Sequence, residues 1–203
     1  VNYSWPLLIV LFSALLPGER LRWWHIAGAG LGLVGAGLLI AGAMTQRTGA
    51  SLSLDGSQPL GYAAALGSAL IWAGYSVLSR RLGSVPTSAV GWFCGGTAVL
   101  SLVCHLAFET TVVPDAGGWA AILALGLGPV GLAFFVWDHG VKRGDIRALG
   151  AFAYAAPLLS TLLLVAFGRG PMTISVAIAA VVIVGGAILA GRDLFRTEGI
   201  GEK

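Results

Sequence analysis

Long apolar stretches without charged residues dominate this chain. Hydrophobic residues make up 57% of its 203 residues and charged residues only 10%, and the mean hydropathy is +0.87, whereas about a quarter of residues are charged in soluble domains. Most of the stretches approach the ~20 residues that a helix needs to cross a bilayer. The pattern predicts an all-α membrane protein whose seven spans lie at residues 1–16, 24–44, 60–79, 87–108, 118–139, 148–167 and 172–190.

A repeat connects the first span with the sixth. The motif Tyr-x-x-Pro-Leu-Leu begins at residue 3 and again at residue 154, an offset of 151 positions, and Gly-Ala at 35–36 recurs at 186–187 with the same offset. The first and sixth spans differ by five in order, and spans whose order differs by an odd number run in opposite directions through a membrane. The sequence therefore predicts an inverted-topology repeat, which is typical of alternating-access transporters.

The position of the motif in each unit predicts the domain organisation. The span with Tyr154 is the fourth of five that begin at residue 60, whereas the span with Tyr3 comes first. We expect a 5+5 inverted-repeat fold of which this chain shows the last seven of ten helices, with three spans preceding Val1. Residues 1–44 are then the last two helices of the N-terminal unit, 45–59 a periplasmic connector, 60–190 the C-terminal five-helix unit and 191–203 a cytoplasmic tail. The alternative is a seven-span protein with its N-terminus outside.

The basic residues predict the orientation, because Lys and Arg stay on the cytoplasmic side. Alternate connections carry ten of the twelve, and the other connections carry only Arg47 and Arg169. This split places the C-terminus in the cytoplasm and explains the net charge of +3 without a nucleic-acid partner. The ten are Arg20, Arg22, Arg80, Arg81, Lys142, Arg143, Arg147, Arg192, Arg196 and Lys203.

A polar and aromatic stripe lies on the third span. Ser68, Trp72, Tyr75 and Ser79 fall at i, i+4, i+7 and i+11, which places them on one helical face. Hydroxyl groups in hydrocarbon need partners, so this face favours contact with a cavity over contact with lipid. The stripe is interpreted as a wall on which flat or apolar side chains stack. The alternative is helix packing, with each serine bonded to its own helix.

Helix-breaking residues mark the predicted hinges. Pro157 and the Gly128-Pro129 pair fall at the centres of their spans, and Pro6 corresponds to Pro157 in the repeat. Tyr154 and Thr161 share a face with Pro157, and Tyr3 is the repeat partner of Tyr154. We expect these three residues to line the cavity; the alternative is that the prolines only produce structural kinks.

An acidic residue and three glycines predict further contacts. Asp138 lies near the cytoplasmic end of its span, where it is predicted to pair with Lys142 or Arg143. Gly28, Gly32 and Gly35 lie on one side of the second span and predict close helix packing.

Four segments carry a family resemblance: VNYSWPLLIVLFSALLPGERL, SALIWAGYSVLSRRLG, GLGPVGLAFFVWDHGVKRGD and ALGAFAYAAPLLSTLLL. They resemble the EamA-type drug/metabolite transporters, and Asn2-Tyr3-x-Trp5-Pro6 with Ile71-Trp72-Ala73-x-Tyr75 is similar to the YddG-type branch that exports aromatic amino acids. The resemblance implies a bacterial inner-membrane exporter with two inverted five-helix halves around a central cavity. Trp5 and Trp92 are added to the residues expected at that cavity.

The function predicted is export of amino acids, aromatic or apolar ones, and of related metabolites by alternating access. The expected partners are a small-molecule substrate and the lipid bilayer, and no nucleic acid. The protein is expected to be a monomer. No catalytic or phosphate-binding motif is present, so no enzyme, cofactor or metal is predicted. The alternatives are an exporter of drugs or cationic metabolites, since aromatic cages also bind cations, and a non-transporting membrane subunit.

Overall fold

The computed structural model describes residues 1–48 and 59–193, excluding the side chains of 44–48. In that part of the chain every regular element is helical, which confirms the all-α prediction. The α-helices are α1 (Trp5–Phe12), α2 (Trp23–Thr48), α3 (Pro59–Arg81), α4 (Ala89–Phe108), α5 (Ala116–Leu127), α6 (Ala133–Arg143), α7 (Ile146–Phe152), α8 (Ala155–Ala166) and α9 (Ile174–Ala190).

Each of the seven predicted spans consists mostly of helix. Five helical segments of 20 to 28 residues are long and apolar enough to cross a membrane, and two shorter apolar segments cover Asn2–Leu15 and Ile174–Ala190. Most span boundaries differ from the prediction by a few residues, and one of these differences concerns the connector. The connector was predicted from residue 45, but α2 continues to Thr48, because the first glycine after Gly42 is Gly49 and nothing earlier breaks the helix.

The chain divides into two compact units. The first comprises Val1–Leu78 with Asp145–Lys203, and the second comprises Ser79–Gly144. In the second unit, α5 has no buried residue and α4 buries only Val90. Helices that are apolar on every side and yet little buried are typical of membrane spans.

The core of the first unit forms where α1, α2, α8 and α9 meet around Tyr154. Glycine allows α2 and α9 to approach very closely. A Cβ atom added to Gly28 would collide with the carbonyl oxygen of Gly186, and one added to Gly186 would lie 2.6 Å from the carbonyl oxygen of Gly28. The predicted packing role of the glycines on α2 is thereby confirmed.

The contacts also give the direction of the two helices. Gly28 meets Gly186, whereas Gly42, further along α2, meets Ser175, which comes earlier in α9. Residue numbers rise along one helix as they fall along the other, so α2 and α9 are antiparallel.

The repeat offset of 151 residues makes Ala179 the counterpart of Gly28 and Gly186 the counterpart of Gly35. The contact between Gly28 and Gly186 therefore has a counterpart between Gly35 and Ala179, and the structure contains it: a Cβ on Gly35 would lie 3.1 Å from the Ala179 carbonyl oxygen. Contacts that interchange in this way are the property of a twofold axis. The packing of α2 on α9 thus supports the predicted inverted repeat.

Candidate functional site

Three aromatic side chains of the first unit lie together: Trp5, Trp72 and Tyr75, which we call the aromatic cluster. The ring centroids of Trp5 and Trp72 are 6.2 Å apart and their planes cross at 89°, so one ring presents its edge to the other. The centroids of Trp72 and Tyr75 are 5.3 Å apart, with planes inclined by 32°. Both distances suit attractive aromatic pairs. All three side chains are partly buried, so the cluster combines packed and accessible surface.

Helix α3 explains why Trp72 and Tyr75 lie together. Trp72 and Tyr75 are three residues apart on α3, which brings their rings to one face. The remaining members of the predicted stripe differ from them: Ser68 is exposed, and Ser79 is buried in the second unit. Ser76 is the serine that bonds to its own helix, since its hydroxyl donates to the Trp72 carbonyl oxygen at 2.9 Å.

Tyr154 has a different environment from the one expected of a cavity residue. Its side chain has no exposed surface, and its hydroxyl accepts a hydrogen bond from the backbone N–H of Leu7 at 3.2 Å. Leu7 lies in the first turn of α1, where backbone N–H groups lack partners within the helix. The structure therefore gives Tyr154 a packing and capping role.

The two repeat prolines both lie at the beginning of a helix. Pro6 is in the first turn of α1, after a 3-10 turn at Asn2–Ser4. Pro157 lies just inside α8, and the sixth span, predicted as one continuous segment, is interrupted between Phe152 and Ala155. Pro157 has no N–H group to bond the carbonyl oxygen of Ala153, four residues earlier, and its ring clashes with that carbonyl group. This explains why the helix is interrupted at this position.

Thr161 lies one turn after Pro157 on α8. Its hydroxyl donates to the Pro157 carbonyl oxygen at 2.9 Å, and its side chain is partly buried. The hydroxyl bonds within its own helix, which is the behaviour expected of threonine in a membrane helix.

The other predicted hinge adopts an unusual helical form. Gly128–Leu132, which includes Pro129, forms a π-helical turn between α5 and α6. A Cβ atom on Gly131 would collide with the Gly126 carbonyl oxygen, so this turn requires glycine at position 131. Such turns are frequent at functional sites and interrupt the regular pattern of hydrogen bonds.

Asp138 is buried near the end of α6 and is paired as predicted. Its carboxylate accepts from Lys142 Nζ at 2.6 Å and from the Ser79 hydroxyl. Lys142 also donates to the Val85 carbonyl oxygen at 2.9 Å. The bond to Asp138 accounts for the burial of Ser79, which was expected to face a cavity.

A polar cluster that the sequence did not reveal joins the beginning of α2 to the residues that follow α9. The Asp193 carboxylate lies 3.2 Å from His25 Nε2 and accepts from Trp24 Nε1 at 3.2 Å, and Arg22 Nη1 lies 3.5 Å from it. The Arg22 backbone N–H points at His25 Nδ1 at 3.1 Å. Because Nδ1 accepts there, Nε2 carries the proton and donates to Asp193.

A second charged contact lies at the start of α7. The Arg147 guanidinium lies 2.8 Å from Asp145 and 3.5 Å from Glu19. Burial raises the pKa of Asp145, but hydrogen bonds from Arg147 and from the backbone outweigh burial and hold that pKa below its usual value. Asp145 therefore stays charged and caps α7 by accepting from the N–H groups of Arg147 and Ala148.

The remaining predicted site residues lie apart from these groups. Tyr3 is partly buried in the 3-10 turn before α1, and Trp92 on α4 is 85% exposed in the second unit. No group of three or more His, Cys, Asp or Glu side chains that could hold a metal ion occurs in the described part of the chain.

Comparison with known proteins adds family evidence to this geometry. The model of the EamA-like transporter family matches residues 59–192. The aromatic amino acid exporter YddG of Ancylobacter novellus is 53% identical over 193 residues, which are 94% of this chain and 64% of that protein. The YddG exporter of Escherichia coli is 24% identical over 189 residues, 93% of this chain and again 64% of the relative.

A solved crystal structure of a chain 51% identical in sequence has the same fold, with a TM-score of 0.90 over 97% of this chain and 67% of its own. The chain therefore spans about two thirds of the length of the proteins it matches.

Proposed function

Because the chain belongs to the EamA-like transporter family, we propose that it exports amino acids with aromatic or apolar side chains from the bacterial cytoplasm by alternating access. The observation that carries the proposal is the aromatic cluster, in which Trp72 lies between Trp5 and Tyr75 and remains partly accessible. A relative with 53% identity is named as an exporter of aromatic amino acids. Both point to the same substrate class.

The chemistry of the cluster favours a flat or apolar side chain. Aromatic rings bind one another through offset or edge-to-face contacts, and each well-placed pair contributes about 0.5–1.5 kcal/mol beyond the burial of surface. Tyr75 also carries a hydroxyl group, so the cluster is not wholly apolar. Alternating access requires helices that change shape, and the interruption before Ala155 and the π-helical turn at Gly128–Leu132 supply such points.

A cationic substrate is the second candidate, because Trp and Tyr rings also attract cations. Burying a cation requires a compensating charge. Among the described residues the buried acidic side chain is Asp138, and Lys142 already neutralises it. This pairing favours a neutral or zwitterionic substrate.

Flux in liposomes tests the proposal. The protein is reconstituted, and movement of labelled Phe, Thr and Lys is measured with and without a pH gradient. We expect Phe to move faster than Thr and Lys to remain at the level of empty liposomes. Lys flux at the rate of Phe would support the cationic candidate instead. An absence of flux for all three would support a non-transporting subunit, and an effect of the gradient would identify proton coupling.

The orientation proposed places α7 and the C-terminus at the cytoplasmic side of the bacterial inner membrane, on the basis of the ten-to-two distribution of basic residues. Cysteine labelling tests it after Cys94 and Cys104 are replaced by serine, because Cys104 is exposed. An impermeant reagent applied outside should modify a cysteine introduced at Ser53, which lies outside the described residues, and spare one at Gly144. The reverse result contradicts the orientation.

A further inference from the structure

Tyr154 connects the interruption between α7 and α8 with the helix that carries Trp5. It is the residue just before α8, and its hydroxyl accepts from the Leu7 backbone N–H. Leu7 and Trp5 belong to the first turn of α1. One hydrogen bond therefore joins two segments that are 147 residues apart in sequence.

The ring of Tyr154 is held firmly in place. A Cβ atom on Gly32 of α2 would collide with the ring, and its nearest neighbours would be three carbon atoms of Tyr154. Val10 and Leu158 lie in the same buried core. A ring packed this closely has little freedom, so the position of its hydroxyl is fixed by α2 and by the start of α8.

The hydroxyl in turn fixes the first turn of α1. Pro6 has no backbone N–H, which leaves few donors in that turn, and the Leu7 N–H is bonded to Tyr154. Trp5 projects from the same turn and meets the Trp72 ring at 6.2 Å. Loss of the hydroxyl removes a constraint on the backbone that presents Trp5.

We propose that Tyr154 is a positioning residue for substrate: it holds α1 so that Trp5 contacts Trp72, and it connects the α7–α8 interruption to the aromatic cluster. The hydroxyl accepts the Leu7 N–H, and the side chain has no exposed surface. Tyr154 therefore acts through Trp5 and not by touching substrate. The consequence for transport rests on the proposed function, whereas the geometry of the Trp5–Trp72 pair does not.

Tyr154→Phe tests the proposal, since it removes one oxygen and keeps the ring on Gly32. Near-UV circular dichroism of the protein without substrate reports the coupling of the two indoles, and we expect this signal to weaken. The KM for Phe should rise roughly fivefold, because that ratio corresponds to the free energy of one hydrogen bond. The maximal rate should change little. Tyr62→Phe, on a partly buried tyrosine of α3, is the control and should change neither quantity.

A double-mutant cycle with Trp5→Phe separates positioning from direct contact. If Tyr154 acts through Trp5, Tyr154→Phe should have little further effect on KM in the Trp5→Phe protein. Additive effects, or a raised KM with an unchanged dichroism signal, would overturn the proposal, as would the absence of any change. If the wild-type protein shows no Phe flux, the proposed function fails, but the dichroism measurement still decides whether Tyr154 positions Trp5.

Discussion

Gly186→Leu is expected to force α9 away from α2 and to destabilise the protein by roughly 3 kcal/mol, at the upper end of the usual cost of overpacking. The expectation follows from what surrounds the residue. A Cβ atom at position 186 would meet the carbonyl oxygen of Gly28 at 2.6 Å and the backbone nitrogen of Gly32 at 3.1 Å. Backbone atoms cannot rotate away as the end of a side chain can, so the helices themselves must separate.

Gly185→Leu is the matched control, because it makes the same chemical change one residue away. Gly185 is exposed, and a Cβ atom there would have no neighbour within 4 Å. Leucine also favours a helix over glycine by about 1 kcal/mol, so this variant should be as stable as the wild type or slightly more stable. Thermal unfolding in detergent measures both. Equal melting temperatures for the two variants would show that α2 and α9 are not packed as described.

The repeat extends this expectation to α2. Gly35 corresponds to Gly186, and a Cβ atom there would meet the Ile183 side chain and, at 3.1 Å, the Ala179 carbonyl oxygen. We therefore expect both glycines to tolerate no larger residue, for the same reason and through equivalent contacts.

The sequence was sufficient to predict the helical segments and their packing surface. Apolar stretches of about 20 residues can form only a few structures in lipid, which is why their positions were predictable. The common offset of the Tyr-x-x-Pro and Gly-Ala motifs also predicted which helices correspond, and the exchange of contacts between Gly28–Gly186 and Gly35–Ala179 agrees with it.

The role of Tyr154 could not be predicted in this way. A tyrosine in the middle of an apolar span suggests a cavity, because its hydroxyl needs a partner. The partner is a backbone N–H at Leu7, and that group is free only because α1 begins at Trp5. Helix boundaries are the least predictable feature of a sequence, and this boundary decides what the hydroxyl binds.

The cluster around Asp193 was unpredictable for a related reason. His25 and Asp193 are 168 residues apart, and each lies near the end of an apolar segment, where polar residues are common. Only the antiparallel register of α2 and α9 brings them together. The Asp138–Lys142 pair, by contrast, is an i, i+4 contact within one helix and could be predicted directly.

Trp72→Ala tests whether the aromatic cluster binds the transported side chain, as proposed, because Trp72 contacts both other members. Losing one good aromatic contact costs about 1 kcal/mol or more, so the affinity for Phe should fall at least several-fold. Trp119→Ala is the control: this tryptophan lies near the start of α5, is 51% exposed and belongs to no predicted site.

The decisive measurement is flux of labelled Phe in liposomes that contain equal amounts of wild-type, Trp72→Ala or Trp119→Ala protein. The structure predicts strongly reduced flux for Trp72→Ala at low Phe concentration and wild-type flux for Trp119→Ala. Equal flux in the wild type and in Trp72→Ala would rule out substrate binding at the aromatic cluster, because Trp72 would then serve only to pack α3 and the substrate would bind elsewhere.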